Sequence, residues 1–347
     1  SKKGFYSDDV EEILKKQKPQ KVRIIGVGDI MLGTNYPGKQ YLPPKEGKDL
    51  LSYAADPLRR VDIAFGNCEG TFLNSGGVVK SCDDPSKCYA FRQPTFLAER
   101  LKESGFDMMS LANNHAGDFG DEGRASTITT LEEMEIACAG QKSKPTCIVN
   151  RKGVLYGMIA FAPNNGTLNI HNLDSVKIMV AELATQCDIV IVSFHGGAEG
   201  GGHAHVPRKN EYYMDENRGD VYAFAHAAID AGADIVFGHG PHILRGIELY
   251  NDRIIAYSLG NFCTYSRFGL GGAAGMAPML EITADIEGKF LEGRIISFKQ
   301  EGEGGPIPDK ERKAQNEIVE LSQADFPESP LIFKENGKII PAPFTPR

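Results

Sequence analysis

Val22-Arg23-Ile24-Ile25-Gly26-Val27-Gly28-Asp29 is the stretch that decides the fold. A short apolar run of this kind reads as a strand buried on both faces, as in sheets covered by helices. It stops on a glycine and a carboxylate, and the same punctuation recurs downstream. Residues 61–65 stop at Gly66-Asn67-Cys68-Glu69, 108–112 at Asn113-Asn114-His115, and 189–194 at His195-Gly196-Gly197. Residues 235–237 stop at Gly238-His239-Gly240-Pro241-His242, and 254–259 at Gly260-Asn261-Phe262. In layered α/β proteins, ligand sites gather at the carboxyl ends of strands. The six strand ends therefore bring Asp, Glu, Asn and His to one neighbourhood. Carboxylate, amide oxygen and imidazole together suit a divalent cation such as Mn²⁺, Fe²⁺ or Zn²⁺.

The segments between these strands fill in the organisation. Residues 7–16 read as a capped helix, followed by a linker to residue 20. Residues 36–50 read as a loop and 56–60 as a short helical piece. Residues 74–93 form a long excursion carrying Cys82 and Cys88; loops of that length in compact domains are usually functional or disordered. Helices are predicted at 94–105, 123–134, 174–185 and 220–231, and a further strand at 154–162. After a glycine-rich loop at 269–275, segments 280–286 and 294–299 alternate as an antiparallel edge would. Residues 301–347 carry charge runs and seven prolines and read as an irregular extension. One domain over 21–300 is the expected unit, with 1–20 and 301–347 outside it.

Bulk composition narrows the function classes. A hydrophobic share of 41%, with 18 Phe and 12 Tyr, supports a substantial core. The formal net charge of −8 argues against nucleic-acid binding, which normally needs a basic patch. No apolar run approaches the roughly 18 residues of a membrane-spanning helix, and no signal peptide is visible at the first residues. Cys82 and Cys88 bracket a turn-forming segment, and Cys138 and Cys147 flank another. Turn-flanking pairs fit an extracytoplasmic, disulfide-bearing protein (periplasmic or cell-surface) whose signal or anchor lies outside this sequence.

Each motif has a bland alternative. Gly26–Gly33 lacks the dinucleotide-loop spacing and puts an acid where phosphate would sit. Asp29 could cap a turn, and a lone strand-end histidine is more often a hydrogen-bonded core residue. Six of the eight histidines, however, fall in three short segments, which favours ligands. Glu69 follows a buried strand, where an unpaired carboxylate is costly. His203 and His205 read either as a lid or accessory pair or as a solvated loop. No serine sits in G-x-S-x-G, and Cys68 reads as a core thiol.

Taken in order, these segments resemble the CapA family, the poly-γ-glutamate capsule-synthesis proteins, within the calcineurin-like metallophosphoesterase superfamily. The resemblance rests on Gly28-Asp29-Ile30-Met31-Leu32-Gly33, Asn67-Cys68-Glu69-Gly70, Phe91-Arg92 and Leu111-Ala112-Asn113-Asn114-His115-Ala116-Gly117-Asp118-Phe119-Gly120. It continues through His195-Gly196, Gly238-His239-Gly240-Pro241-His242 and Tyr257-Ser258-Leu259-Gly260-Asn261-Phe262. It implies a four-layer α/β/β/α sandwich with the site at the strand ends. Against the superfamily pattern, Asp29 matches the first Asp, Asn114-His115 the Asn-His pair, His195 the lone His, and His239 with His242 the final pair. Two departures stand out. Met31 replaces the histidine of D-x-H, and the bridging Asp has no clear counterpart, with Asn67 in its register and Glu69 the nearby carboxylate.

The resemblance implies one or two divalent ions (Mn, Zn, Fe or Mg). Glu69, Asn114, His195 and His239 would form the better-equipped site, and Asp29, Glu69 and His242 the poorer. The implied activity is a metal-dependent, phosphoesterase-like hydrolase linked to capsule or envelope polymer synthesis. His115 would be the general acid, oriented by Asp118, and Arg92 or Arg245 would neutralise a substrate anion. Expected partners are an anionic substrate or polymer and membrane-bound capsule-synthesis proteins. Two alternatives stay open: a non-catalytic surface module for polyanion export with a vestigial metal site, and a γ-glutamyl amide hydrolase.

Overall fold

The computed structural model describes residues 18–82 and 88–343. The helix expected at 7–16 lies outside them. The opening run becomes the strand Lys21–Met31, interior to a nine-stranded sheet. It pairs in parallel with Ile63–Cys68, which pairs in parallel with Met108–Ser110 and then Ala137–Ala139. On its other side it pairs antiparallel with Met279–Asp285. A second, seven-stranded sheet runs Ile247–Tyr250, Arg253–Ala256, Ile235–His239, Ile189–His195, Val154–Ala162, Thr146–Arg151, with Leu168–Asn169 also paired to Val154–Ala162. Its four strands from Arg253–Ala256 through Val154–Ala162 run parallel to one another.

Three apolar cores stack the chain into the four α/β/β/α layers. Adjacent side chains on a strand point to opposite faces. Ile24 thus joins Phe65 and Met108 against Met158, Ile191 and Phe237 of the second sheet. Ile25 and Ala64 instead meet Leu58, Leu101 and Leu131 on the outer helices of the first sheet. Val192 and Val236 meet Val176, Val180 and Phe224 of helices Leu173–Ala184 and Val221–Asp230. Phe65 and Phe237 stack across the inter-sheet core with centroids 5.0 Å apart. Gly26 makes that possible, since a Cβ there would lie 2.3 Å from the Phe237 ring. Burying each such ring contributes about 1.5–3 kcal/mol.

The C-terminal part corrects the sequence reading. Residues 301–343 are not an irregular appendage. Helix Lys313–Asp325 buries Ala314 and Ile318 in the inter-sheet core. The strands Leu331–Phe333 and Lys338–Pro341 extend the first sheet beyond Phe290–Ile296. The strands Met279–Asp285 and Phe290–Ile296 are therefore interior to the sheet and Leu331–Phe333 is its edge, whereas Phe298–Lys299 pairs apart from it with Ile307–Pro308. The prolines sit mainly at element ends, where a missing N–H costs no ladder bond. The structure joins Cys82 to Cys88, with Cα atoms 5.7 Å apart, whereas Cys138 and Cys147 are both free thiols. Among the described residues, no helix is long and apolar enough to cross a membrane.

Candidate metal centre

The parallel strands of both sheets deliver their carboxyl ends to one place. Asp29 lies at the end of Lys21–Met31, Glu69 just past Ile63–Cys68, and His195 at the end of Ile189–His195. All three side chains are fully buried. Each offers a ligand atom within 4.8 Å of the other two. His242 closes the group: its Nδ1 is 3.0 Å from Asp29 Oδ2, and its Nε2 is 3.6 Å from Glu69 Oε1. The turn carrying His242 depends on Gly240, whose φ is +124° and where a Cβ would lie 2.4 Å from the Gly196 carbonyl. The glycines after His195 thus serve the approach of two protein loops.

The polar atoms are unevenly satisfied. Asp29 Oδ1 accepts from Asn67 Nδ2 at 2.8 Å. Asn67 Oδ1 in turn accepts from Asn113 Nδ2 at 3.0 Å. Asn261 Oδ1 lies 3.1 Å from His242 Nδ1. By contrast, both oxygens of Glu69, both nitrogens of His195 and Oδ1 of Asn114 are buried with no protein partner. Burial, and then the Asp29 charge, push the Glu69 carboxyl well above its usual range. Burial works the same way on Asp29, but the hydrogen bond and charge of His242 outweigh it and hold Asp29 well below. Burial opposes charge on His242, yet Glu69 and Asp29 together raise it. Burial keeps the His195 imidazole well below its ordinary value, hence neutral. Two carboxylates driven apart beside an unprotonated imidazole form the pattern expected of a candidate functional site.

The unpartnered atoms are what a divalent ion would satisfy. Each buried, unpaired polar group costs about 1–3 kcal/mol, and here several converge. Carboxylate oxygen, amide oxygen and neutral imidazole are suitable ligands for such an ion. The grouping differs from the one expected. Asp29 comes together with Glu69 and His195, while His239 lies outside that group: its Nε2 is 3.1 Å from the Val27 carbonyl, and its Nδ1 is buried without a hydrogen-bond partner. Met31 is also turned away, its Sδ accepting from the Gly33 N–H at 3.2 Å.

In a buried histidine–aspartate pair, the histidine lines the neighbouring cavity. His115 Nδ1 lies 2.7 Å from Asp118 Oδ2. Asp118 also accepts from the Phe91 N–H at 2.7 Å and pairs through Oδ1 with Lys80 Nζ at 2.6 Å. With Nδ1 held, Nε2 of His115 is left for the cavity that His115, His242 and Asn261 line. Burial lowers the His115 pKa against the pull of Asp118. Lys80 was missed by sequence reasoning, because nothing in the 74–93 excursion marks it. Asn67, Asn113 and Asn261 sit at the recognised strand ends, where an amide beside a candidate ligand was the available signal.

Neither predicted anion-binding arginine is placed for that role. Arg245 is buried and bidentate to Glu211, at 2.9 and 2.6 Å, and its Nε donates to the His203 carbonyl. Arg92 donates to Asn35 Oδ1 at 2.7 Å and to the Gly76 carbonyl at 2.8 Å, with its guanidinium over the Phe119 ring. His203 and His205 lie outside the metal cluster; His205 Nδ1 is 2.6 Å from Asp325 Oδ1 of the C-terminal helix. Burial raises the Cys68 thiol far above its ordinary value, which makes it inert.

Comparison with known proteins places relatives around this geometry. The family model of the bacterial capsule synthesis protein PGA_cap matches residues 23–266. The capsule biosynthesis protein CapA of Bacillus anthracis is 29% identical over 270 residues, covering 72% of this chain and 61% of that protein. The PGA biosynthesis protein CapA of Bacillus subtilis (strain 168) is 30% identical over 253 residues, covering 68% and 61%. A probable polyglutamine synthesis accessory protein of Mycobacterium tuberculosis is 26% identical over 338 residues, covering 81% and 84%. The match thus spans about three fifths of the length of the two Bacillus relatives. Among solved structures, a 5'-nucleotidase precursor from Thermus thermophilus aligns at TM-score 0.45 and 12% identity, covering 88% of this chain and 59% of that one.

Proposed function

The chain belongs to the bacterial capsule synthesis protein family, and from that premise we propose that it is a metal-dependent, phosphoesterase-like hydrolase of the bacterial envelope. It works in the synthesis of poly-γ-glutamate or a similar capsule polymer. The observation that carries the reading is the set of unpartnered, fully buried donors on Glu69 and His195 within ligand range of Asp29. Asp29, Glu69 and His195 hold one divalent ion of the Mn, Zn, Fe or Mg class, with Asn114 Oδ1 free to join them. One ion fits better than two, because the thioether of Met31 accepts from the Gly33 N–H and His239 lies outside the Asp29, Glu69 and His195 group.

The ion supplies Lewis acidity that makes water a competent nucleophile near neutral pH. The chain's own residues do the rest. Asn67 fixes Asp29, and His242 balances the charge of Asp29 and Glu69. Asp118 accepts from Nδ1–H of His115 and supports its imidazolium form, whose Nε2–H donates the proton to the leaving oxygen, leaving the neutral Nδ1–H imidazole. The partners are an anionic substrate or polymer and membrane-bound capsule-synthesis proteins. The Cys82–Cys88 disulfide supports an oxidising, extracytoplasmic location.

The test is metal content after mild purification, with a turnover screen on phosphate mono- and diesters and γ-glutamyl amides supplied with Mn²⁺, Zn²⁺, Fe²⁺ or Mg²⁺. His115→Ala is expected to cut turnover by roughly 10²–10⁴ while keeping metal; His195→Ala is expected to lose metal. Equal metal loss in both variants refutes the roles. Bound metal with no turnover on any substrate replaces the enzyme by an export module, and turnover of amides alone makes it a γ-glutamyl hydrolase.

A further inference from the structure

We propose that the cavity over the metal centre takes a substrate bearing one anionic group on an apolar stem, and that Arg267 receives that group. This deepens the reading above, since it takes the cavity to be the place of reaction. The cavity measures about 420 Å³ and opens from the floor residues His115, His242 and Asn261. Its wall is a continuous file of rings. Phe91 lies 4.4 Å from His115 and 5.1 Å from Phe268, and Phe268 lies 5.8 Å from His242, centroid to centroid. A ligand reaching both the general acid and the metal centre must lie along this apolar wall, which favours an apolar stem.

Arg267 is the one arginine lining the cavity, and its charge is unanswered. Its guanidinium lies over the Tyr41 and Tyr89 rings, 5.0 Å from each centroid, and Nη1 donates to the Tyr36 carbonyl at 3.2 Å. A guanidinium has five N–H donors, so most of its donor capacity remains. Among the described residues, no carboxylate lies within ion-pair distance of it, whereas the neighbouring cations are answered. Lys80 pairs with Asp118, Arg218 with Glu199, and Arg245 with Glu211.

The charge count sets the substrate class. One open guanidinium binds one oxyanion, preferably in bidentate fashion. A trench for a polyanion strand would need a row of cations, whereas among the described residues the lining holds one arginine and one carboxylate, Glu199, which is paired with Arg218. The anionic group can come from a carboxylate on a phosphoester's leaving group or from the free α-carboxylate of a γ-glutamyl unit. Both present the same chemistry to Arg267.

Calorimetric binding distinguishes the two sources and does not depend on turnover. In the ester arm, 4-carboxyphenyl phosphate is compared with phenyl phosphate. In the amide arm, γ-glutamyl-4-nitroanilide is compared with its α-carboxamide analogue. In at least one arm the free carboxylate is expected to tighten binding to the wild-type protein roughly tenfold, the order of one charge-assisted pair. That preference should vanish in Arg267→Gln and return only in part in Arg267→Lys, with metal content unchanged throughout. Phe268→Ala should weaken both members of a pair alike. The proposal is overturned if neither arm shows a preference, or if the preference survives Arg267→Gln. A protein that binds as expected but never turns over would refute the hydrolase and leave the assignment of Arg267 standing.

Discussion

Substituting Glu69 by glutamine separates the two demands placed on that side chain. Its oxygens are buried and unpartnered, and burial together with Asp29 opposes its charge. The isosteric amide removes the charge without opening a cavity. Metal-free Glu69→Gln should therefore be as stable as the metal-free wild type, or more stable by up to about 1–3 kcal/mol, the scale of one relieved buried group. Metal reverses the order. A ligand that binds only the folded state at one hundred times its dissociation constant adds about 2.7 kcal/mol. The wild type should gain roughly that amount and the variant less than about 0.5 kcal/mol, because a primary ligand is gone. Urea unfolding with chelator, then with added Mn²⁺ or Zn²⁺, measures both numbers. The chain has no tryptophan, so far-UV circular dichroism is the suitable signal. Equal metal-dependent gains in the two proteins would refute the assignment of Glu69 as a ligand.

Two further perturbations probe the scaffold. Asp234 accepts from the Val190 N–H at 2.8 Å and pairs with Arg253 at 2.9 Å, yet burial pushes its pKa up to about 6. A carboxyl raised in the folded state contributes stability below its unfolded pKa and loses it as pH rises through the folded one. Between about pH 4 and 7 the wild type should therefore lose up to about 3 kcal/mol relative to Asp234→Asn; parallel urea midpoints across that range would count against it. Ile318→Ala, in the C-terminal helix and fully buried, should cost about 2–5 kcal/mol. A loss under about 0.5 kcal/mol would mean the helix is not part of the core.

The sheets were legible because their strands are unbroken apolar runs, and 154–162 coincides with the strand Val154–Ala162. The strand Thr146–Arg151 escaped notice because it is half-exposed and ends in Asn150 and Arg151, so its pattern never resembles a buried run. In the C-terminal helix, four apolar contacts (Ala314, Ile318, Val319 and Leu321) are diluted by charge and bracketed by proline-rich segments. The strand ends showed which residue types would meet, but not how they would divide. That His239 would turn to the Val27 carbonyl depends on a backbone group that carries no side-chain signature. The engagement of Arg245 depends on Glu211, 34 residues earlier in the chain, in a segment with no recognisable pattern.

The match to the family model stops at residue 266, but the first sheet does not. The flank of Lys21–Met31 from Lys21 to Val27 is covered only by Met279–Asp285, and helix Lys313–Asp325 seals the inter-sheet core. A fragment cut at the boundary of recognisable similarity would keep every proposed metal ligand. It would also present a bare row of N–H and C=O groups along Lys21–Val27, beside an Ile24 stripped of its Ile282 and Ile318 neighbours in the core, the kind of exposed edge that recruits other chains. In this fold, the segment that carries the proposed metal ligands and the segment that covers this sheet edge are different stretches of sequence. The second is the one that the family match leaves out.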